Sequence, residues 1–360
     1  MGTDIGERVA AALPADRTRK EIAQDIGMTP DAFSRALKGH RGFAALELAR
    51  LADLLHVDIH FLITGEPNPR DVLIAARHSY DHATGRRSVP GEDTDRQDLQ
   101  DVVQLYRQAE PAHLPTTQLP ANVAETRQRL GPEFVQPFAA RLESMDIDIV
   151  RLTGLSTAYS FTVNDRAVIV LGTSGQWFRD NWSLAHELGH LVLRHGDLSR
   201  SENSRRTAEV QANAFAAELL LPEAEIRGLD WESVSAPELA ERLWAFGVST
   251  EALSNRLSRL ELQLSPATES LLGTSTPSLL RRHWMGFGDG TPMTQRMTDA
   301  SQRRFPTLLK DAHLDLISQG LVVKAGLAWM LDVDAETLEV DEPQRSPALG
   351  SAELSDLLGL

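Results

Sequence analysis

The chain has 360 residues, no cysteine, and 36 basic against 51 acidic residues, which gives a formal net charge of −15. The lack of thiols excludes disulfide scaffolds, thiolate zinc fingers, iron–sulfur sites and cysteine nucleophiles, so histidine and carboxylate groups are the strong metal ligands that remain. The acidic balance argues against a surface that coats nucleic acid, although it is compatible with one locally basic module.

The sequence shows no sign of a membrane segment. No apolar run approaches the roughly 20 residues that span a bilayer. Residues 1–12 include Asp4 and Glu7, where a signal peptide needs basic and then apolar residues. We therefore expect a cytoplasmic protein with no membrane partner, divided into two or three domains at roughly 150 residues each.

Residues 1–66 predict a domain of five short helices. Thr18 and Thr29 are typical N-cap residues, and Gly27 leaves only a very short turn between the second and third helices. The first helix is expected to end near Pro14, and the others to cover Arg19 to Ile26, Thr29 to Lys38, Leu46 to Leu55 and Ile59 to Ile63.

The second and third of these helices resemble the helix-turn-helix of Cro/XRE-type DNA-binding domains. The resemblance implies that the third helix reads operator DNA through the major groove. Residues 17–41 hold six basic and three acidic residues, so the local charge of +3 permits phosphate contacts. The candidate DNA-binding residues are Arg19, Thr29, Asp31, Ser34, Arg35 and Lys38, with Ala32 as a further exposed position.

Because its basic excess is small, this domain would bind DNA weakly as a monomer. A homodimer would double the contacts and impose a spacing between two half-sites. The alternative interpretation of this domain is a charged helical bundle that binds protein.

Residues 67–129 read as a connector, because they are polar and are interrupted by Pro111, Pro115 and Pro120. A helix from Asp98 to Glu110 makes the connector partly helical. The pattern then changes to a helix and three short strands. The last two strands are joined as in a hairpin turn, by Asn164, Asp165 and Arg166. The predicted helix covers Phe134 to Met145, and the strands cover Ile147 to Val150, Ala158 to Val163 and Ala167 to Leu171.

The most informative segment is an apolar helix that contains the pattern H-E-x-x-H. On a helix, His186 and His190 lie four residues and about 40° apart, so both imidazoles can bind one Zn²⁺. Glu187 would then lie beside the metal, where it typically acts as the general base that takes a proton from water. Two satisfied surface histidines are the alternative, which the apolar neighbours disfavour.

A catalytic zinc needs a third protein ligand and leaves its fourth position to water. His195 is nine residues from His186, which corresponds to about 180° on a continuous helix. We therefore expect His195 on the opposite face, where it is not a ligand.

A second helix, in the segment from Glu209 to Pro222, supplies a carboxylate instead. Glu209 can face inward beside the apolar stripe of this helix, and a merely solvated Glu209 is the alternative. Asn213, four residues further on, shares its face and is expected to orient a metal-binding histidine through a hydrogen bond. Glu218 and Glu202 are weaker candidates for the third ligand.

Residues 130–262 resemble the ImmA/IrrE metallopeptidases. The resemblance is carried by N-W-S-L-A-H-E-L-G-H-L-V-L-R-H followed by E-V-Q-A-N-A-F-A-A-E-L-L-L-P. It implies that His186, His190 and Glu209 hold zinc, that Glu187 is catalytic, and that the protein is an intracellular protease that cuts a partner helix-turn-helix repressor. Such a His₂Glu site also accepts Mn²⁺ or Fe²⁺ according to supply.

The strand from Ala167 to Leu171 has two interpretations. It forms either an edge that holds an extended substrate over the metal, or an interior structural strand. Tyr159 and His195 are candidate oxyanion stabilisers on chemical type alone.

Beyond the metal motifs, the pattern is helical. Helices are predicted from Leu239 to Phe246 and Thr250 to Leu262, and later from Phe305 to Gly320 and Val322 to Leu331. The later pair belongs to a C-terminal region, 265–360, which serves either as a helical core or in substrate recognition or dimerisation.

Together these patterns predict a mostly helical α+β protein. Its parts are a five-helix helix-turn-helix domain at 1–66, the connector at 67–129, a zincin-like metallopeptidase domain with a small sheet at 130–264, and the helical region at 265–360. The predicted function is a DNA-associated zinc metallopeptidase that cleaves a partner repressor or antitoxin-like regulator. The alternative is an XRE-family regulator whose zinc domain is a sensor or scaffold without proteolysis, and the intact Glu187 favours the first.

Overall fold

The computed structural model describes residues 5–14, 17–55, 57, 59–66, 75–76, 79–81, 86–88, 92–195, 202–288 and 290–343. The chain divides into two compact units, Met1–Asp71 and Val72–Leu360. The described part is mostly helical with a small sheet. No helix within these ranges is long and apolar enough to cross a membrane.

The first unit contains the five predicted helices. Thr18 and Glu21 form a reciprocal capping box at the start of the second helix, and the Thr29 hydroxyl accepts a hydrogen bond from the Ala32 backbone at the start of the third. The helices are α1 Ile5–Ala12, α2 Arg19–Asp25, α3 Pro30–Leu37, α4 Ala45–Leu55 and α5 Ile59–Thr64.

A single core holds these helices together. Ile22 of α2, Phe33 of α3, Leu51 of α4 and Leu62 of α5 are fully buried in it. Gly27 has a φ of +77°, which glycine adopts without strain, and this lets the chain turn sharply between α2 and α3.

The second unit is built from thirteen described helices and six strands. The helices are α6 Glu92–Gln108, α7 Val123–Leu130, α8 Phe138–Glu143, α9 Trp177–Val192, α10 Glu202–Leu220, α11 Glu223–Arg227, α12 Ala236–Phe246, α13 Thr250–Arg259, α14 Pro266–Leu272, α15 Thr276–His283, α16 Thr291–Ser301, α17 Thr307–Ser318 and α18 Ala325–Leu331. Short 3₁₀ turns occur at Glu110–Ala112 and Met285–Phe287. The strands are β1 Ala75–Ala76, β2 Ser79–Asp81, β3 Arg86–Ser88, β4 Ile147–Leu152, β5 Tyr159–Val163 and β6 Arg166–Gly172.

The main sheet has the strand order β1-β5-β6-β4, and β2 pairs with β3 separately. The β5–β6 hairpin is antiparallel, whereas β6 and β4 run parallel. Asn164 and Asp165 have φ values of 49° and 58°, as the predicted two-residue hairpin turn requires. The three strands predicted from the sequence are thus confirmed within one or two residues.

The structure distinguishes the two interpretations of one strand in this sheet. The strand at Ala167 to Leu171 is not an edge, because β6 lies between β5 and β4 and its backbone is paired on both sides. It is the interior strand of the two alternatives, and this agrees with its burial from Arg166 to Leu171. It therefore has no free edge for a substrate.

Alternate side chains of the sheet enter two different cores. Ile149 and Ile169 pack on the face that carries α9 and α10, whereas Val150 and Val170 pack on the opposite face. The opposite face is covered by α6, α17 and α18, which contribute Tyr106, among other residues. The sheet is therefore buried between two helical layers.

The C-terminal helices belong to these same cores. Leu280 of α15 and Met293 of α16 pack with α9, and Leu309 of α17 and Leu327 of α18 pack behind the sheet. This agrees with the helical-core interpretation of the region, while its part in recognition or dimerisation stays a prediction. The helix predicted at Phe134 to Met145 is shorter than expected, because α8 begins only after Pro137.

Candidate metal centre

The H-E-x-x-H pattern lies on α9, which packs closely against α10. The two helices meet at Gly189, where a Cβ atom would lie only 3.2 Å from the Ala212 Cα and 3.1 Å from the Phe215 Cβ. Glycine at this position therefore permits the close approach that brings Glu209 of α10 to the histidines of α9.

Three ligand atoms converge where the helices meet. His186 Nε2 and His190 Nε2 are 3.1 Å apart. His186 Nε2 lies 3.4 Å from Oε2 of Glu209, and His190 Nε2 lies 3.4 Å from Oε1 of the same carboxylate. A tetrahedral ion with ligand bonds of about 2.0–2.1 Å separates its ligand atoms by about 3.3–3.4 Å. The three side chains therefore fit a zinc-sized ion, and within the described ranges they are the one group of three such residues close enough to hold a metal.

The three side chains of this cluster are buried, and their burial and mutual charges shift the pKa values of Glu209 and His190. His186 has no exposed surface, and the exposed fractions of His190 and Glu209 are 4% and 5%. Burial acts to raise the pKa of Glu209, but the hydrogen bonds and charges of the two histidines lower it to about 2. Burial acts to lower the pKa of His190, but the hydrogen bond to Glu209 and the charges of Glu187 and Glu209 raise it overall. The carboxylate is thus ionised and ready to bind a cation.

Glu187 projects from α9 toward the sheet. Its Oε2 accepts a hydrogen bond of 2.7 Å from the Ser160 hydroxyl of β5, and both residues are buried. Its Oε1 is also buried and has no hydrogen-bond partner in the described structure. One carboxylate oxygen is thus fixed, and the other is left free to accept a proton. Sequence reasoning missed Ser160, since nothing in the sequence pairs a strand serine with a residue 27 positions away.

His195 does not lie on the opposite face, and that prediction is wrong. The 180° separation assumed a continuous helix, but α9 ends at Val192 and Arg194 adopts a left-handed φ of 55°. The chain therefore turns back, and His195 Nδ1 comes within 3.0 Å of His190 Nδ1. Burial and the charge of His190 lower the pKa of His195. Both ring nitrogens contact protein groups, in agreement with the expectation that His195 is not a ligand.

The other candidate ligands have different surroundings. Glu218 forms an ion pair of 2.5 Å with Arg256, which removes it from the metal cluster. The side chain of Glu202 lies outside the described residues. Asn213 lines a neighbouring cavity. Among the described residues, His186 Nδ1 has no hydrogen-bond partner, so no hydrogen bond from Asn213 to this histidine is seen. The orienting role of Asn213 stays a prediction.

Tyr159 lies on the face of the sheet opposite α9 and α10. Its hydroxyl donates a hydrogen bond of 2.7 Å to the buried carboxylate of Asp95. Because neighbouring strand residues point to opposite faces, Tyr159 faces away from the metal cluster when Ser160 faces it. Tyr159 is therefore not placed to stabilise an oxyanion there.

A cavity of about 750 Å³ is lined by residues of α9, α10 and α13. Trp182 of α9 and Asn213 of α10 line it, and each lies four residues, about one helical turn, from a metal ligand. Arg179 and Arg259 add exposed basic groups to its wall. The cavity wall thus includes one residue of α9 and one of α10 that are each one turn from a candidate ligand, and the candidate ligands themselves do not line it.

The candidate DNA-binding residues of the first unit are accessible. The candidates on α3 and next to its ends lie on one face of the helix. Phe33, Ala36 and Leu37 lie on the opposite, buried face. Arg19, Thr29, Asp31, Arg35 and Lys38 are exposed, and Ser34 is partly exposed.

The segment that contains the candidate metal centre is similar to a known protein family. No curated protein and no solved structure matches the chain. Residues 138–258 match the family model Peptidase_M78, which describes the IrrE N-terminal-like domain. The matched segment contains β4 to β6, α9, α10 and the whole cluster of His186, His190 and Glu209. This part of the chain is therefore similar to the peptidase domain of that family, which supports the metallopeptidase part of the resemblance.

Proposed function

We propose that the protein is a zinc metallopeptidase that cleaves a partner transcriptional regulator. The observation that carries the proposal is the convergence of His186, His190 and Glu209 at the separations of a tetrahedral ion. The charge of Glu187, the residue after His186, acts on His190 as well. A structural zinc site would need the ligands alone. It has no use for a buried carboxylate with one hydrogen-bonded oxygen and one free oxygen.

The chemistry follows from the arrangement of these groups. When bound, a divalent ion would polarise the scissile carbonyl and lower the pKa of the attacking water. Glu187 accepts the proton of that water on Oε1, while Ser160 holds Oε2 and so fixes the direction of the carboxylate. Glu187 then delivers the proton to the leaving amine. Mn²⁺ or Fe²⁺ could serve at the same ligands.

We infer that the substrate polypeptide lies in the cavity lined by Trp182 and Asn213. The cavity starts one helical turn from the ligands and is large enough for several side chains. Ala252 also lines it, so Ala252→Trp would place a bulky ring in the cavity at a position that is not a candidate ligand. We expect this variant to raise KM and to keep its zinc, and an unchanged KM would place the substrate elsewhere.

The proposal is tested with zinc-loaded protein and its Glu187→Gln variant. Both are incubated with a proteome-derived peptide library and with repressor proteins, and new peptide ends are identified by mass spectrometry. We expect wild type alone to cut, since loss of the general base costs about 10²–10⁴-fold. Cleavage by neither protein would favour the non-proteolytic sensor or scaffold, and equal cleavage by both would contradict the role of Glu187 as general base.

We propose that the first unit binds operator DNA as a helix-turn-helix module, with α3 in the major groove. The short turn at Gly27 and the exposed polar face of α3 support this. Because a repressor and its operator are found in the cytoplasm, we propose the same location for this protein. A homodimer would contact two half-sites of the operator. Affinity for operator DNA is expected to fall steeply with salt concentration, and binding that ignores salt would contradict the assignment.

A further inference from the structure

His190 has a hydrogen-bond partner on the side of its ring away from the ligand cluster. His190 Nδ1 lies 3.0 Å from His195 Nδ1, and His195 Nε2 lies 3.0 Å from the Gln211 side-chain oxygen. His195 is 4% exposed. These contacts form a continuous chain from His190 through His195 to Gln211 of α10.

The positions of the protons in this chain follow from metal binding. A histidine that binds an ion through Nε2 carries its proton on Nδ1. His190 Nδ1–H must then donate, and the atom within reach is His195 Nδ1, which can accept only if it carries no proton. The neutral His195 ring therefore has its proton on Nε2, which donates to the Gln211 oxygen. With His195 protonated on Nδ1, two N–H groups would face each other in the core.

We propose that His195 and Gln211 are positioning residues for the metal centre, which fix the ring orientation and tautomer of His190 through this hydrogen-bonded chain. The inference rests on the proposed metal site. It also gives α10 two parts in that site, because α10 supplies the ligand Glu209 and the amide that orients the ligand of the other helix. Partners of this kind contribute about 10–100-fold to metal affinity in zinc proteins.

The test is a series of zinc dissociation constants from competition with a chromogenic chelator. His195→Phe keeps a planar ring but removes the acceptor, and His195→Gln restores an amide oxygen that can accept from His190 Nδ1–H. Gln211→Leu removes only the outer acceptor at an exposed helix position, so it is not expected to disturb folding. His313→Phe is the matched control, because His313 is a buried histidine that contacts the Leu105 carbonyl in the other core.

We expect His195→Phe to weaken zinc binding about 10–100-fold, Gln211→Leu to weaken it less, and His195→Gln to recover most of the loss. His313→Phe should bind zinc as wild type does. In ¹⁵N NMR spectra of the zinc-loaded protein, His190 should be protonated on Nδ1 and His195 on Nε2. Equal zinc affinity in folded wild type, His195→Phe and Gln211→Leu would overturn the positioning role and leave the peptidase proposal standing. A proton on His195 Nδ1 would overturn it too, whereas wild type that binds no zinc would overturn both.

Discussion

At the scale of single residues, Glu187 is set apart from an ordinary buried carboxylate by its two unequal oxygens. Ser160 donates to Oε2, and Oε1 has no partner within the described ranges. A buried carboxylate oxygen without a hydrogen bond is costly to maintain. The cost is explained if water and substrate occupy that side during hydrolysis.

The contribution of Ser160 can be measured with Ser160→Ala. Without the hydroxyl, Glu187 can rotate, so we expect kcat to fall by about 10–150-fold, because a hydrogen bond to a charged group contributes about 1.5–3 kcal/mol. Zinc affinity should not change, since Ser160 does not touch a ligand. Thr162→Ala, at an exposed position of the same strand, is the control. A wild-type kcat in Ser160→Ala would contradict this role.

His313 gives the fold a dependence on pH. Burial lowers its pKa below the ordinary value of 6.5, although the hydrogen bond to the Leu105 carbonyl acts in the other direction. As pH falls through about 6.5, the unfolded chain takes up a proton that the folded chain does not, so the free energy of unfolding decreases.

We therefore expect the thermal midpoint to decrease below a pH of about 6.5 and to decrease less in His313→Gln. The two proteins are compared by calorimetry without metal at pH values above and below that point, and the difference between them isolates His313. An identical pH dependence in both would show that His313 does not contribute.

At the scale of elements, the metal centre depends on how closely α9 and α10 approach. Gly189 is the contact point, and its nearest neighbours include the Ala212 Cα, a backbone atom that cannot move alone. The spacing of the two helices therefore sets the distance from Glu209 to the histidines.

Gly189→Ala tests this spacing. Alanine favours an isolated helix by up to about 1 kcal/mol, but overpacking against α10 costs about 1–3 kcal/mol. We expect a weaker zinc affinity and a lower thermal midpoint. Gly228→Ala is the control, since its nearest atoms are 3.4 Å away. Wild-type zinc affinity in Gly189→Ala would show that the approach at this position does not control the centre.

Local patterns were enough to predict several of these elements. The alternating strands around Asn164 and Asp165, the caps at Thr18 and Thr29, and the i, i+4 histidines all depend on near neighbours in sequence. The end of α9 could not be predicted in this way, because Arg194 adopts its left-handed conformation in a run that also fits a continuing helix. The interior position of β6 depends on its pairing with β4, a tertiary contact that no local pattern records.

At the scale of the whole molecule, the three residues that could hold a metal lie entirely within the unit Val72–Leu360. Its ligands come from the two helices that pack on one face of the sheet, in the same core as the helices α15 and α16. We therefore expect metal binding to stabilise this unit.

Zinc should raise the stability of the second unit only. An ion that binds the folded state at 100 times its Kd adds about 2.7 kcal/mol to the free energy of unfolding. Calorimetry of the full chain with zinc and with a chelator should show one transition that shifts and one, from the first unit, that does not. Equal midpoints under both conditions would contradict a metal site in the core of the second unit.

The proposed metal centre is tested most directly by an anomalous-difference map from crystals of the zinc-loaded protein. We expect one ion, about 2.0–2.2 Å from His186 Nε2, His190 Nε2 and a Glu209 carboxylate oxygen, with Glu187 beside the remaining coordination position. An ion held by other residues, or a Glu209 carboxylate turned away from the two imidazoles, would contradict the proposed centre.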